Sequence, residues 1–421
     1  MRGNAVKTNI WILNHYAGGM LFDRGGRHYN FAKYLKRAGY APVVFCANAQ
    51  HGKPERHLDT DALWTEQTAE EIGTPFVFVK ARTYTGNGKQ RVLNMIDFYR
   101  NVKKTAKEYA KEHGKPDVIL ASSVHPLTLV AGIQLAKHFG VKCICEVRDL
   151  WPESIVAYSK RFTKENPLIR LLYRGEKWIY KKADAVVFTM EGAYDYIVEQ
   201  GWEKDIPRSK VHYINNGVDL EQFDYNKEHY TVDDPDLDDP DTFKLAFLGT
   251  LVVSNNIDGM LDLAKRLARF ERLRLLIYGG GICTESMLRR IRDEQISNVL
   301  YKGWVDKKYV PSIVSRMDIN FMHAAPTYLY RFGASPNKLF DYLAAGKPIL
   351  QDFTYSGDIV QRYECGLACT WDIDAIEALV QQLYCAPPEE RTAMGQRARN
   401  AAEAYDFRVL TAQLLNIIED L

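Results

Sequence analysis

Residues 330–350 read YRFGASPNKLFDYLAAGKPIL, and this stretch predicts a loop, one short helix and a buried strand. Ser335 is typical of a helix N-cap and Pro336 of the first helical residue. Gly346 suits the left-handed position that follows the last turn of a helix, and the proline two residues later prevents continuation. The apolar run that begins at Ile349 then predicts a buried strand.

The first turn of this predicted helix offers a site for an anion. Its free backbone amides and the positive end of the helix dipole attract negative charge, and Lys338 adds a full positive charge at the same place. Asp341 lies one turn later on nearly the same face, where it could pair with Lys338 or bind a hydroxyl group. Two interpretations stay open here: a phosphate or diphosphate site, and a capped surface helix with a local ion pair.

Length and composition favour a two-domain globular protein. The chain has 421 residues, which is more than a single hydrophobic core usually serves. Hydrophobic residues make up 46% and charged residues 26%, and a net charge of +2 does not suggest a nucleic-acid partner. The seven cysteines show no zinc-ligand spacing, so we expect reduced thiols in a cytoplasmic protein.

Two features of the sequence bear on membrane contact. The first apolar run, Ile10 to Asn14, has only the length of a strand, so we expect neither a signal peptide nor a membrane-spanning helix. Residues 160–182, with eight basic and two acidic residues, predict either an amphipathic helix on an anionic membrane or a domain helix with a solvated basic face. The apolar face of the membrane helix would comprise Leu168, Leu171, Leu172, Trp178 and Ile179.

Short apolar runs alternate with amphipathic helices along the first half of the chain, which is typical of a doubly wound parallel sheet. We expect residues 1–215 to form this domain. The loop 14–26 after the first strand has four glycines that would let a backbone approach a ligand, although it matches neither dinucleotide nor Walker signatures. The predicted strands are 10–13, 42–46, 76–79, 118–121, 143–147 and 185–188.

A second alternating series follows an acidic run at 233–240, which predicts a solvated connector between domains. We expect a second α/β domain over residues 216–405. Residues 406–421 predict a final helix that packs back toward the first domain. The predicted strands of the second domain are 245–249, 273–279, 299–303, 317–321 and 348–350.

Ligands of doubly wound sheets bind beyond the carboxyl ends of the strands, so the residues just after each strand are candidates for the site. His125 could contact a sugar or position an acceptor, and otherwise it is a strand-end histidine bonded to backbone. Asp149 could act as a base or bind a sugar hydroxyl. With its neighbour Arg148, it could equally form a structural salt bridge.

Several short motifs point to one enzyme family when their order and spacing are taken together. Two doubly wound domains with a phosphate-binding helix in the second resemble the GT-B glycosyltransferases, and the motifs resemble those of the family 4 retaining glycosyltransferases. The motifs of the family are Pro116–Ile119, Ser122–Pro126, Ile214–Asp219, Phe247–Thr250, Tyr278–Gly281 and Gly303–Val305. Segments Tyr84–Arg91, Glu146–Ser154 and Ser335–Tyr342 are similar to the L-fucosamine transferase-like subgroup, which builds bacterial surface polysaccharides.

The resemblance implies a GT-B fold, in which two Rossmann-like domains face a central cleft, with the acceptor on the first and the donor on the second. It implies transfer of a sugar from a nucleotide sugar, expected to be a UDP-sugar, with retention of anomeric configuration. The acceptor would be a saccharide or a polyprenyl-diphosphate-linked saccharide. Such enzymes need no metal or other cofactor, because cationic side chains and a helix N-terminus stabilise the leaving diphosphate. The departing phosphate itself would take the acceptor proton.

The same resemblance assigns residues to the site. The catalytic candidates are Lys338, His125, Asp149 and Arg148. The donor-binding candidates are Gly18, Gly19, Gly249, Thr250, Gly279, Gly280, Gly303, Trp304, Val305, Arg331, Ser335, Pro336, Asn337, Leu339 and Asp341, of which Trp304 would otherwise be a core residue and Arg331 a surface residue. The acceptor-binding candidates are His15, His51, Tyr84 and Arg91.

Two departures from the family pattern stand against these assignments. Many members carry two glutamates with seven residues between them, whereas this chain has Gly333 and Asp341. The loop 250–256 lacks the cation that the family often places there. Two rivals therefore stay open: a non-catalytic sugar-nucleotide-binding protein, and a sugar phosphorylase or epimerase on a similar fold.

Overall fold

The computed structural model describes residues 8–86, 88–123, 125–159 and 161–421. Asn87, Val124 and Lys160, which belong to predicted motifs, and residues 1–7 lie outside the described residues. The chain divides into two compact units. The first unit comprises the chain up to Asn215 together with Phe407–Leu421, and the second comprises Asn216–Asp406.

The first unit is built on an eight-stranded sheet. Its strands are Asn9–Asn14 (β1), Ala41–Ala47 (β2), Trp64–Ala69 (β3), Thr74–Val79 (β4), Val118–Ser122 (β5), Lys142–Val147 (β6), Ala185–Phe188 (β7) and Val211–Tyr213 (β8). They lie in the order β3-β4-β2-β1-β5-β6-β7-β8, and every pairing is parallel except that of β3 with β4. The six predicted strands are confirmed, and β3 and β8 were missed.

Helices cover both faces of this sheet. They are Gly18–Phe22 (α1), Arg27–Arg37 (α2), Lys89–His113 (α3), Pro126–Phe139 (α4), Glu153–Tyr158 (α5), Pro167–Lys182 (α6) and Ala193–Glu199 (α7). The connection from β1 to β2 moves toward the β3 edge of the sheet. The connections from β4 to β5, from β5 to β6 and from β6 to β7 move toward the β8 edge. Because such crossovers are right-handed, α2 lies on one face and α3, α4 and α6 lie side by side on the other.

The second unit has a six-stranded sheet in which all pairings are parallel. Its strands are Phe243–Leu248 (β9), Leu273–Tyr278 (β10), Val299–Gly303 (β11), Ile319–Met322 (β12), Ile349–Gln351 (β13) and Gly366–Ala368 (β14). Their order is β11-β10-β9-β12-β13-β14. The five predicted strands are confirmed, as is the prediction of two α/β domains with doubly wound sheets.

The helices of the second unit surround this sheet. They are Leu220–His229 (α8), Pro235–Asp238 (α9), Ile257–Leu267 (α10), Thr284–Asp293 (α11), Val310–Ser315 (α12), Asn337–Ala345 (α13), Ile359–Arg362 (α14), Ile373–Cys385 (α15) and Pro388–Ala404 (α16). The last helix, Phe407–Glu419 (α17), belongs to the first unit and packs on α2. Short 3-10 turns occupy Arg208–Lys210, Val253–Asn255, Lys307–Tyr309 and Tyr328–Phe332.

The acidic run at 233–240 is not the solvated connector that its composition predicts. It lies within the second unit, where Leu237 is buried in the core. Asp234 accepts a hydrogen bond from Lys302 Nζ at 2.8 Å, and Asp236 also contacts that ammonium group. Arg316 donates to Asp238 at 2.9 Å, so two cations of the second unit offset the negative charge of the run.

Two further findings concern the chain as a whole. No disulfide joins the seven cysteines, which agrees with the expected free thiols. Within the described ranges, no helix is long and apolar enough to cross a bilayer.

Candidate functional site

Three glycine-containing loops interlock at the carboxyl edge of the second sheet. The amide of Gly249, after β9, donates to the carbonyl of Tyr278 at 3.0 Å. The amide of Gly279, after β10, donates to the carbonyl of Gly303 at 2.8 Å. Three of the predicted donor-binding segments therefore lie together, and they form a continuous rim of backbone.

Gly279 of this rim has a backbone conformation and a close neighbour that only glycine accommodates. Its φ is +137°, and a Cβ atom there would lie 1.9 Å from the carbonyl oxygen of Gly249. We expect Gly279→Ala to lower the free energy of unfolding by about 3 kcal/mol, since strain and overpacking of this kind each cost about 1–3 kcal/mol. Urea denaturation followed by circular dichroism measures this change.

Gly280 supplies the matched control for that substitution. A Cβ atom at Gly280 would meet nothing within 4 Å, so Gly280→Ala should leave stability nearly unchanged. Equal effects of the two alanine variants would show that the contact with Gly249 does not decide the loop packing.

Lys338 lies in the first turn of α13, beside this rim. Its Nζ donates to the backbone carbonyl of His323 at 3.3 Å and lies 4.2 Å from the ring centroid of Phe247. Burial lowers the pKa of Lys338 to about 8, although the nearby Asp352 carboxylate acts in the opposite direction. The ammonium group is thus a half-buried cation at the strand edge where ligands of such sheets bind.

Asp341 does not form the local ion pair with Lys338 that one interpretation predicted. Within the described part of the chain, no salt bridge joins the two side chains. Burial raises the pKa of Asp341 to about 7, and the charge of Lys307 opposes this rise. The carboxyl group remains a hydrogen-bonding partner for a ligand, one turn beyond the first residue of α13.

The start of α13 differs by one residue from the prediction. The N-cap is Pro336, the helix begins at Asn337, and no side chain caps it. Ser335 instead binds Asn216: its Oγ accepts from the Asn216 amide at 3.1 Å, and its carbonyl accepts from the Asn216 side chain at 2.8 Å. Leu339 is buried and its amide donates to the Pro336 carbonyl, so this amide is not free for an anion as predicted. The predicted end of the helix at Gly346, with φ of +66°, is confirmed.

Other predicted donor-binding residues are exposed near the same edge. Trp304 is 75% exposed directly after β11, so the alternative that it is a core residue is wrong. Thr250 is exposed after β9, and its carbonyl accepts from the Asn255 side chain at 2.6 Å. Arg331 is exposed, with its guanidinium 4.7 Å from the centroid of the Phe332 ring. Val305 packs against the core beneath.

A buried pair that the sequence did not indicate supports the loop after β9. One ring nitrogen of His323 contacts the Asp352 carboxylate, and the other lies 2.8 Å from the carbonyl of Asn256. Both partners are oxygen acceptors, so the His323 ring links the loop after β9 to the residue that follows β13. His323 directly follows β12 and Asp352 directly follows β13, so their positions at strand ends are the sequence signal for this pair.

The first unit gathers a separate cluster at the carboxyl edge of its own sheet. Nδ1 of His15, after β1, lies 2.6 Å from Nε2 of His125, after β5, and both side chains are buried. The His15 ring also stacks on Phe98, with centroids 4.4 Å apart. Burial and the charge of Arg91 lower the pKa of His125 to about 3, so the pair is uncharged at neutral pH. The alternative interpretation of His125 was a hydrogen bond from its ring to the backbone. The ring instead contacts the side chain of His15.

The other predicted acceptor residues lie around a second hydrogen-bonded chain. The Tyr84 hydroxyl lies 2.5 Å from His51 Nδ1 and donates to the Tyr16 hydroxyl at 3.0 Å. The His51 and Tyr16 rings lie 4.3 Å apart. Burial, together with the charge of Arg91, lowers the pKa of His51. Residues predicted from two distant segments therefore meet, and Tyr16 is a member that the sequence did not indicate.

One interpretation of Arg148 and Asp149 was a structural salt bridge between them, and the structure does not contain it among the described residues. Asp149 is exposed, and within the described residues no ion pair joins it to Arg148. Burial lowers the pKa of Arg148, although the charge of Glu146 opposes this, and its Nε atom is buried without a hydrogen-bond partner in the described part of the chain.

The glycine loop after β1 is packed more tightly than predicted. A Cβ atom at Gly18 would lie 2.7 Å from Cδ2 of His57, so the small size of Gly18 already serves contact with this ring. Gly19 is half-buried and has more room, with His57 at 3.7 Å from the same position. A role for these two glycines at a ligand stays a prediction.

The sequence also gave no indication of a buried ionic cluster beneath this edge. Nε of Arg27 donates to the Glu146 carboxylate at 2.8 Å, and its Nη2 donates to the Ile214 carbonyl at 2.9 Å. Ser122 Oγ donates to Glu146 at 2.7 Å. Although burial acts to raise the pKa of Glu146, the charge of Arg27 holds it well below its usual value. Arg27 thereby fixes the strand-end carboxylate and the backbone that leaves the first unit.

No group of three His, Cys, Asp or Glu side chains within the described ranges is arranged to hold a metal ion. In the second unit, the cluster provides the Lys338 cation at the uncapped start of α13. In the first unit, the clusters provide uncharged imidazole groups and tyrosine hydroxyl groups.

Comparison with known families places both units. Residues 27–222 match the sequence model named Glycosyltransferase Family 4, and residues 242–385 match the model named Glycosyl transferases group 1. A relative in Bacillus subtilis, TuaH, whose name describes a teichuronic acid biosynthesis glycosyltransferase, is 26% identical over 212 residues. That alignment covers 49% of this chain and 49% of TuaH, so it spans about half the length of the relative.

Solved structures share the fold over nearly the whole chain. Sucrose-phosphate synthase from Thermosynechococcus elongatus has a TM-score of 0.71 at 16% identity and covers 98% of this chain and 99% of its own. Anabaena HepE in complex with UDP has a TM-score of 0.64 at 12% identity, covering 99% and 100%. An E. coli trehalose-6-phosphate structure bound with UDP-2-fluoro glucose has a TM-score of 0.71 at 11% identity, covering 98% and 99%. At these identities the likeness concerns the fold.

Proposed function

We propose that this chain, a GT-B-fold protein with a glycosyltransferase family 4 domain followed by a glycosyl transferases group 1 domain, transfers a sugar from a nucleotide sugar in polysaccharide biosynthesis. The observation that carries the proposal is the position of Lys338. Its ammonium group lies at the uncapped start of α13, next to the glycine rim. A cation, a helix dipole and close-packed backbone at one strand edge suit the diphosphate of such a donor.

The donor that we propose is a UDP-sugar. Two structural neighbours, HepE and the E. coli protein, were solved with UDP or a UDP-sugar analogue. The exposed ring of Trp304 follows β11, where it could stack on the base. Asp341 would then bind a ribose hydroxyl through its half-buried carboxyl group.

We further propose that the transfer retains anomeric configuration and needs no metal. Charge on the leaving diphosphate would be offset by Lys338, Arg331 and the first amides of α13, and stabilisation of this kind is often the largest part of catalysis. The departing phosphate would take the acceptor proton. The likeness to the L-fucosamine transferase-like subgroup stays a prediction.

The acceptor that we propose is a saccharide or a lipid-linked saccharide of a surface polysaccharide such as O-antigen, capsule or exopolysaccharide. The name of TuaH, which refers to teichuronic acid synthesis, supports a polymer product. In the first unit, the His51–Tyr84–Tyr16 chain offers hydroxyl and imidazole partners beside Arg91, which suits sugar hydroxyls. His125, buried on His15, would position the reacting sugar.

We also propose that α6 holds the protein on the inner face of an anionic membrane, where a polyprenyl-linked acceptor lies. Leu168, Leu171 and Trp178 are 53%, 60% and 40% exposed, and their spacing of three and seven residues places them along one stripe. Ile179, in contrast, is buried in the domain and was wrongly predicted to belong to this face. Exposed basic residues flank the stripe, which suits anionic headgroups.

A thermal-shift screen of nucleotides tests the donor assignment. We expect UDP and UDP-sugars to raise the melting temperature, because a ligand at 100 times its Kd stabilises by about 2.7 kcal/mol. CMP and GDP serve as controls and should have smaller effects. The same samples are then assayed for UDP release with a panel of acceptors. Binding of UDP-sugars without any release would favour the non-catalytic binding protein, and no binding would remove the donor assignment.

A further inference from the structure

A groove of about 610 Å³ lies between α3 and α4, outside the clusters described above. Its floor includes Leu135, and its wall is one face of α3. The side chains that line this wall include four cations: Arg100, Lys103, Lys104 and Lys107. They follow Arg91 by nine to sixteen residues, which is about 14–24 Å along the helix. Phe98 of α3, which stacks on His15, is fully buried, whereas Arg100, Lys104 and Lys107 are exposed, so the groove and the His15–His125 cluster lie on different faces of the helix.

The positive charge of this groove is not offset by the surrounding protein. Asp97 is the acidic residue of the lining, and Arg82 already holds it, with Nε 2.6 Å from the carboxylate. Within the described residues, none of the four cations forms a salt bridge. Lys103 donates to the neutral side chain of Gln134 at 2.9 Å. Like charges three and four residues apart destabilise a helix, so this arrangement points to an anionic partner.

The groove lies on the same side of the sheet as the apolar stripe of α6. Helix α4 packs against both α3 and α6, so the two features occupy one surface of the first unit. Arg170 and Arg174 of α6 are exposed and form no salt bridge within the described ranges. A nucleic acid would use the cations but not the exposed leucines and tryptophan, whereas an anionic bilayer uses both.

We propose that the α3–α4 groove binds the phosphate groups of anionic phospholipids and, with the α6 stripe, forms one membrane-docking surface. The inference rests on the membrane contact proposed for α6 and adds a phosphate-binding site on a different pair of helices. It does not depend on the identity of the donor or on glycosyl transfer.

Co-sedimentation of the full chain with vesicles tests this proposal. Wild-type protein should bind vesicles of phosphatidylglycerol and phosphatidylcholine in 50 mM salt, bind weakly in 500 mM salt, and not bind pure phosphatidylcholine. The groove variant Lys104→Gln/Lys107→Gln should bind about 30-fold more weakly, since each basic residue near such a surface contributes about 1 kcal/mol. Glutamine keeps the helix propensity of lysine, so the fold should be retained.

A matched control removes two cations elsewhere. Arg289 and Arg292 on α11 are also exposed and form no salt bridge in the described part of the chain, so Arg289→Gln/Arg292→Gln should bind vesicles like the wild type. Equal binding by the groove and control variants would overturn the proposal. So would groove-dependent binding of heparin, a soluble polyanion, in the absence of vesicle binding. The UDP thermal shift, measured on every variant, reports the donor assignment separately and should not change.

Discussion

Lys338→Ala is expected to reduce turnover about a hundredfold and to leave the fold intact, because the substitution removes a cation that offsets charge on the leaving diphosphate. The ammonium group makes one hydrogen bond, to the His323 carbonyl, and no salt bridge within the described residues. The nearby Asp352 carboxylate keeps its contact with His323, so the substitution leaves that buried carboxylate with a partner. Steady-state UDP release measures turnover, and the melting temperature without ligand reports the fold. Unchanged turnover would remove Lys338 from the mechanism.

The pH dependence of UDP binding gives the control for this prediction. The pKa of Lys338 is lowered to about 8, so the ammonium charge is present at pH 7 and is lost as the pH rises through about 8. UDP affinity should therefore fall between pH 7 and pH 9. Lys338→Arg keeps its charge throughout this range, so its affinity should fall much less. A wild-type profile identical to that of Lys338→Arg would show that the lysine charge does not hold the diphosphate.

Helix α13 was predicted in part from the sequence. The helix, its buried face and its end at Gly346 follow from local rules, and the structure has them. The N-cap moved from Ser335 to Pro336 because the Ser335 side chain binds the backbone of Asn216, 119 residues away in the chain. No local pattern contains that contact. The alternative in which Lys338 pairs with Asp341 is wrong for a similar reason, since the lysine reaches back to Phe247 of β9 and to the His323 carbonyl after β12.

The strands likewise differ in whether the local sequence is enough to predict them. Buried parallel strands such as β9 and β10 are apolar except for one basic residue near the start of each, so they could be predicted. In contrast, β3 has the sequence WTEQTA and lies at the sheet edge, where exposed polar side chains hide it. β14 has only three residues, all half-buried. Edge strands depend on a neighbour that the sequence does not show.

Within the site, single residues could be predicted but their partners could not. The strand-end rule indicated His15, His125 and Asp149, and the resemblance added Tyr84. The pairing of His15 with His125 depends on β1 and β5 lying side by side, although they are more than 100 residues apart in the chain. Arg27 was missed because nothing near it in the sequence indicates a buried partner, and that partner is Glu146.

His125→Ala should lower transfer about a hundredfold while the thermal shift caused by UDP stays the same. His125 lies in the first unit, whereas Lys338, Asp341 and Trp304, which are proposed to bind UDP, lie in the second. Loss of the imidazole should therefore affect the reacting sugar and not the nucleotide. Transfer assays at saturating donor, together with UDP thermal shifts, measure the two effects. Loss of the UDP shift would instead indicate a general loss of structure.

Substitutions of His15 test whether its hydrogen bond to His125 or its ring contact with Phe98 is needed for the reaction. Its Nδ1 faces His125 Nε2 at 2.6 Å, and its ring stacks on Phe98. His15→Phe keeps an aromatic ring on Phe98 but removes the hydrogen bond, whereas His15→Asn loses the ring but keeps a polar group close to the position of Nδ1. If His15 orients His125, His15→Asn should retain more transfer activity than His15→Phe, even though it is the less stable of the two. The reverse order would mean that the ring contact, and not the hydrogen bond, is what the reaction needs from His15.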